Sequence, residues 1–168
     1  MNTGVFVCLV QENSPAANAG LRFGDQILQI DNEDMAGKSV NKVHALFKNK
    51  PVGTVLELAV RDRPFERTVT LVRDSTGHIG FQFRKGKIVN IVKDSSAARN
   101  GLLTEHALLE LNGKNVIGMK DKEITKVIES IPGTSLTVTV MPGFLYEHMV
   151  KEMASSLFGK MDHADPDF

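Results

Sequence analysis

The chain is 168 residues long and balances 20 basic against 20 acidic side chains, for a formal net charge of zero. That balance, with one tyrosine and no tryptophan, argues against a nucleic-acid partner; the single cysteine, Cys8, excludes an internal disulfide, and no apolar run is long enough to span a membrane. A chain of this length has room for one or two domains and a moderate core.

The opening Met1-Asn2-Thr3-Gly4 has neither a basic stretch nor a long apolar one, which with the lone cysteine predicts a protein kept in a reducing compartment. Ser14-Pro15-Ala16-Ala17 reads as a short helix, with Ser14 as its cap and Pro15 at the tolerated first position, closing at Gly20. The pattern Gln26-Ile27-Leu28-Gln29-Ile30-Asp31 comes next, then a helical stretch over Val40–Lys48 and a closing strand over residues 55–61.

The same order then returns. Ser14-Pro15-Ala16-Ala17-Asn18-Ala19-Gly20-Leu21 recurs 81 residues further on as Ser95-Ser96-Ala97-Ala98-Arg99-Asn100-Gly101-Leu102, and residues 26–31 are answered by Ala107-Leu108-Leu109-Glu110-Leu111-Asn112. Two copies of one unit are present. The helix of the second copy has Ile124, Val127, Ile128 and Ile131 at helical spacing, Asn112-Gly113 is a turn dipeptide, and residues 135–141 answer the closing strand. Between the copies, Arg61-Asp62-Arg63-Pro64 is short and closed by a proline, which predicts a restricted mutual orientation. The boundaries expected are 1–62 for a truncated first domain, 63–142 for a complete second one, and 143–168 for a tail. The fold class expected is mainly β with α (α+β): two partly open barrels in tandem, each capped by two helices.

The second copy has parts that the first lacks. A strand over Arg67–Val72 precedes it, then His78-Ile79-Gly80-Phe81, then the alternating run Phe81-Gln82-Phe83. A glycine between apolar residues ahead of a strand lets successive backbone N–H groups converge, and such a nest holds an anion such as a carboxylate. On the strand, Phe81 and Phe83 share a face while Gln82 points away. A helix beside that strand leaves a slot that an extended peptide can enter as an added strand, its last side chain among Ile79, Phe81, Phe83 and Ile128. The first copy begins at Gly4-Val5-Phe6-Val7, aligned with Gly86-Lys87-Ile88-Val89, and has neither loop nor groove strand. It is therefore expected to capture no carboxylate, and to leave an unpaired strand edge and an apolar surface where His44 and Phe47 stand at the positions of Thr125 and Ile128. Either the chain is a fragment or alternative form of something longer, or its first unit is a partial fold that depends on the second.

At these residues the chain resembles PDZ domains, and the tandem arrangement, with Arg61-Asp62-Arg63-Pro64-Phe65-Glu66-Arg67-Thr68 between the halves and Asp74-Ser75-Thr76-Gly77-His78 leading into the loop, resembles the syntenin family. The resemblance implies an adaptor that needs no cofactor, cytoplasmic and peripheral at plasma and endosomal membranes, binding C-terminal tails of syndecan-like transmembrane receptors. It implies that Ile79, Gly80 and Phe81 give N–H groups to the carboxylate, and that Gln82, Phe83, Asp121, Thr125 and Ile128 line the groove. His78 either touches the peptide from the side or is solvated. Asp121 stands where serine- and threonine-selecting PDZ domains have a histidine, which implies relaxed specificity. Arg84, Lys87 and Lys120 match positions associated with phosphoinositide head groups; the bland alternative is a solvated basic face.

Residues 144–161 form a possible amphipathic segment that packs on the domain or contacts a membrane. The terminal Phe168 is a free carboxylate on an apolar residue, the ligand type the groove should accept, so self-capture within one chain or in a homodimer is a further expectation. No enzyme is expected: the five histidines show no metal spacing, Ser14 and Ser95 are helix caps, and no Gly-x-Ser-x-Gly elbow exists.

Overall fold

The computed structural model describes residues 4–151, 153 and 155–166. Its elements run β1 (Val5–Phe6), α1 (Pro15–Asn18), β2 (Gln26–Ile30), β3 (Glu33–Asp34), α2 (Val40–Lys48) and β4 (Leu58–Arg61), then β5 (Arg67–Val72), β6 (Phe81–Arg84), β7 (Lys87–Ile91), α3 (Ser96–Arg99), β8 (His106–Leu111), β9 (Lys114–Asn115), α4 (Asp121–Ser130) and β10 (Ser135–Pro142), and last α5 (Gly143–Val150) and α6 (Ser155–Phe158). The strands form two open antiparallel sheets. In one, β2 is flanked by β1 and β4 and meets β3 at its end; in the other the order is β5-β10-β8-β7-β6, with β9 on β8.

The repeat is visible in the hydrogen bonding. Gly24 N–H donates to the Val7 carbonyl at 2.8 Å and, 81 residues on, Glu105 N–H donates to the Ile88 carbonyl at 2.8 Å. Each unit has a register shift in its closing pair, between Ile27 and Gln29 in the first and between Thr139 and Val140 in the second. Such an extra residue re-aims the strand that follows. Asp31 and Asn112 open the turns after β2 and β8, both with φ of +49°. Their side chains do the same work: Oδ1 of Asp31 accepts from Glu57 N–H, and Oδ1 of Asn112 from Thr137 N–H.

Two expectations shift. The alignment of residues 4–7 with 86–89 is one residue out: the inward partner of Ile88 is Val7, buried like it, whereas Phe6 is only half-buried. A slip of one residue exchanges the faces of a strand, so burial fixes this register where sequence similarity did not. The closing strand of the first unit starts at Leu58 rather than at residue 55, and Val55 stands in solvent at 89% exposure.

Three apolar clusters hold the molecule. The second unit has a core of Leu71, Ile88, Leu111, Ile124, Leu136, Val138 and Val140 with their neighbours. The first has a smaller one of Val7, Ile27, Ile30, Met35 and Val43. The third joins them: Phe23 from the first unit, Ala107, Leu109, Ile117 and Met141 from the second, and Met161 from the tail. The tail thus packs between the units rather than on one. Cys8 Sγ reaches the Met149 carbonyl at 3.3 Å, Asp162 N–H donates to the Val10 carbonyl, and His163 Nε2 donates to the Ile117 carbonyl. Burial in this cluster pushes the Cys8 thiol and the Tyr146 hydroxyl above their ordinary values. Phe144, the first residue of the expected amphipathic segment, is 73% exposed on α5. Phe168 lies outside the described residues.

Candidate functional site

The groove is built on β6, the last strand of its sheet, whose outer edge carries no neighbour among the described strands. Phe81 faces Ile91 and Gln82 faces Asn90 on β7, and Val92 N–H donates to the Gly80 carbonyl at 2.8 Å. The Ile79 carbonyl is bound as well, by Ala97 N–H at 3.2 Å. Two consecutive carbonyls of the loop are therefore spent toward the interior, a conformation that aims N–H groups the other way.

Gly80 makes this turn possible for two reasons. Its φ of +96° lies in the region that side chains disfavour, and a Cβ there would stand 2.1 Å from the Cβ of Ser95. Ser95 is itself fixed: its Oγ accepts from Ala98 N–H as the cap of α3 and lies 3.3 Å from the Gly80 carbonyl, to which it donates. The preceding turn is tied by Asp74, whose Oδ1 accepts from Thr76 N–H, the Thr76 hydroxyl and His78 N–H. Those bonds, the Thr76 hydroxyl first, hold the Asp74 carboxyl below its usual value. The His78 ring rests 2.8 Å from the Thr76 hydroxyl, so the histidine is engaged with its own turn.

The opposite wall is α4. Asp121, Thr125 and Ile128 follow one another at helical spacing along one face, with Ile124 buried beneath. The helix opens at Lys120, where the Glu123 carboxylate accepts from Lys120 N–H at 2.9 Å. Phe81 and Phe83 lie 6.3 Å apart between the ring centroids, and both pack with Ile128 against the core. Ile79 is buried below them.

Two side chains join the walls: Asp121, expected in the groove, and Arg73, which was not singled out in the sequence. Arg73, just after β5, donates to the Ile128 carbonyl at 2.5 Å and also reaches Ile131 and Gly77 at 3.4 Å, a cation on the negative end of α4 that links the helix to the loop. At the other end Asp121 accepts from Lys85 N–H at 2.8 Å and from Gly86 N–H at 3.0 Å. Both of its oxygens are thus occupied by the turn between β6 and β7. The signal for Arg73 was its position beside the loop; Asp121 was expected to face the peptide, and nothing marked its bonds to the turn, since those partners lie 36 and 35 residues away.

Asp121 also gathers the basic residues, because it fixes Lys120 beside the turn that Arg84 and Lys87 flank. The three are not equally free. Lys87 Nζ is 2.9 Å from Glu105, and that bond, helped by Glu147, raises its pKa. The junction between the units holds two clefts of about 370 and 740 Å³, lined among others by Arg22 and Glu110, and neither is the groove. Among the described residues the first unit forms no such site: α2 leaves Phe47 36% and Val40 64% exposed, and the one described partner of β1 is β2.

The second unit, an open antiparallel sheet with its end strand beside a helix, has the arrangement of a PDZ domain, and a PDZ domain model matches residues 6–62, the first unit. Human syntenin-1 is 55% identical over 99% of this chain, and mouse syntenin-2 is 51% identical over 99%. The chain spans about half the length of these curated relatives, 56% and 57% respectively. The human amyloid-beta A4 precursor protein-binding family A member 2 is 25% identical over 84% of this chain and 19% of its own. The chain is thus similar to the syntenins over nearly its whole length, and its first unit matches a PDZ domain. Among the described residues no helix is long and apolar enough to cross a membrane.

Proposed function

We propose that the chain is an adaptor whose second unit, residues 63–142, binds C-terminal peptide tails of membrane proteins, while the first, residues 1–62, serves as its support and residues 143–168 as the tail that joins them. The peptide adds to the free edge of β6, its carboxylate taking the N–H groups of Ile79, Gly80 and Phe81 and its last side chain resting among Ile79, Phe81, Phe83 and Ile128. The observation behind this reading is the inward spending of the Ile79 and Gly80 carbonyls next to an open strand edge. Since Asp121 is bound to the turn, the third residue from the peptide end meets mainly Thr125 and Phe83, which favours relaxed or apolar preference. Syndecan-like receptor tails, assembly of receptors at the cytoplasmic side of plasma and endosomal membranes, and vesicular trafficking fit this reading.

The test is fluorescence anisotropy with a labelled peptide ending in an apolar residue, run beside the same peptide carrying a C-terminal amide. The acid binds and the amide does not, and Gly80→Ala abolishes binding of the acid. Equal binding of acid and amide would sink the carboxylate loop.

A second component is lipid. The gathering of Arg84, Lys87 and Lys120 around one turn supports contact with phosphoinositide head groups, for which Arg84 and Lys120 are the freer donors. In liposome sedimentation, Arg84→Ala with Lys120→Ala loses binding to bisphosphorylated phosphoinositides and keeps peptide affinity, and added salt weakens the lipid component first. A salt-independent liposome signal that survives the double substitution refutes it.

A further inference from the structure

Glu66 stands in the link between the units, one residue before β5, and no part of the groove uses it. Its carboxylate is turned inward: both oxygens are closed off from solvent, and neither has a hydrogen-bond partner. The space it fills belongs to Gly24, at the end of the connection between β1 and β2. A Cβ at Gly24 would lie 1.6 Å from Oε1 of Glu66, so the carboxylate sits where any side chain at 24 would have been. Gly24 is held there by the bond from its N–H to the Val7 carbonyl at 2.8 Å.

Two more inward carboxylates lie around it, with the Arg63 guanidinium among them and Asp62 and Arg22 at the solvent side. Asp25, only 4% exposed, accepts from Arg22 N–H at 2.9 Å and from Arg63 N–H at 3.1 Å. Glu110, on β8 of the second unit, is paired with the Arg63 guanidinium at 2.9 Å. Asp62 lies 3.6 Å from Nε of Arg63 and is itself bound by Arg22 at 2.8 Å. Of the three inward carboxylates, Glu110 has the Arg63 guanidinium and Asp25 has two backbone N–H donors. Glu66 is the one left without, and a buried charge with no partner is expelled or neutralised. Burial above all, with Asp25 and Glu110 adding repulsion, outweighs the attraction of Arg63 and of the residue's own backbone N–H, which is committed to the Arg63 carbonyl at 3.3 Å, and pushes Glu66 up to about 7.

We propose that Glu66 is a proton-operated latch on the junction between the two units: uncharged, it stays shut against Gly24 and ties the link to the first unit; ionised, it swings to solvent and the link lifts away. The direction follows from linkage. A carboxyl whose closed-state pKa is raised favours closure as pH falls from about 7 toward the ordinary carboxylate value of 4.5, and below that value both forms hold the proton and nothing more is gained. Above about 7 the closed form bears the whole penalty of the buried charge. A chain that passes from neutral to acidic surroundings therefore gains a stiffer tandem, independently of whether its groove is filled.

The experiment is amide hydrogen exchange on the full chain, read as protection factors so that the intrinsic pH dependence of exchange is removed. Between about pH 6 and about pH 8 the protection of the Gly24 and Arg63 amides falls several-fold, while that of Ile88 and Leu111 in the second core does not change. In Glu66→Gln, a neutral group of the same shape, junction protection stays at its acid value throughout. Junction protection that is flat with pH in the native chain, or equally pH-dependent in Glu66→Gln, overturns the latch. Should the glutamine variant not fold, the carboxyl ¹³C shift of Glu66 in the native chain decides: a midpoint near the elevated value supports the latch, and one at the ordinary carboxylate value overturns it.

Discussion

Val7 and Ile88 occupy the same place in the two units: each points inward, and each receives through its carbonyl the same bond at the same distance. On the far side of Ile88 stands β6, with the loop that leads into it; on the far side of Val7 no described strand is paired. The helices that flank these strands are alike in length and placement, and Val43 and Ile124 seat them on their cores in the same way. What separates a groove from an exposed helix face is therefore the strand and its loop, and the scaffold the two units share does not create a site by itself. Among the described residues the first unit also draws apolar cover from outside itself, through the cluster of Phe23, Leu109, Met141 and Met161 that it shares with the second unit and the tail.

That dependence is where the comparison is most easily broken. Phe23→Ala empties the centre of the shared cluster, where the ring is 5% exposed and lies 6.0 Å from Tyr146, and it costs about 3–5 kcal/mol as for other buried aromatics. The expected thermal unfolding separates into two steps, with the first unit lost at lower temperature and peptide binding retained. A single cooperative transition with binding lost at the same point would mean that the second unit leans equally on the first.

A smaller effect is expected at Asp121, which has no counterpart in the first unit: the equivalent residue is Val40, 64% exposed. Asp121→Ala frees the Lys85 and Gly86 amides and costs about 1–2 kcal/mol of local stability. Affinity drops for every peptide in a panel, while the ranking of serine or threonine against apolar residues three from the end is kept. A changed ranking would show that the carboxylate reads the ligand as well as holding the turn.

Much of this was legible in the chain. Helix α2 begins and ends at the residues its pattern marks and α4 runs one residue past Glu129, because three- and four-residue apolar spacing is a local signal. Strand β5 and the loop at Gly80 were legible for the same reason. The register of β1 was not, since Val5-Phe6-Val7 is apolar on both faces and only burial says which face is inward. The tail between the units, the bonds of Asp121 and the inward turn of Glu66 were also hidden. Each joins residues that lie far apart in sequence, and a charged residue in a polar link has no mark that distinguishes a buried carboxylate from a solvated one.

The finest test compares two serines at equivalent places. Ser14 and Ser95 both cap a four-residue helix, accepting from the amide three residues on at 3.1 and 3.2 Å. Loss of such a cap costs about 0.5–2 kcal/mol, so Ser14→Ala and Ser95→Ala are expected to lower stability by similar amounts. Only Ser95 has a second task, donating to the Gly80 carbonyl beneath the loop. Ser95→Ala therefore lowers peptide affinity several-fold at a temperature where the chain is fully folded, whereas Ser14→Ala leaves it unchanged. Equal affinities for the two variants, measured beside their thermal unfolding, would show that the loop keeps its shape through Val92 and Ala97 alone, and that the serine shared by both units is a helix cap in each and nothing more.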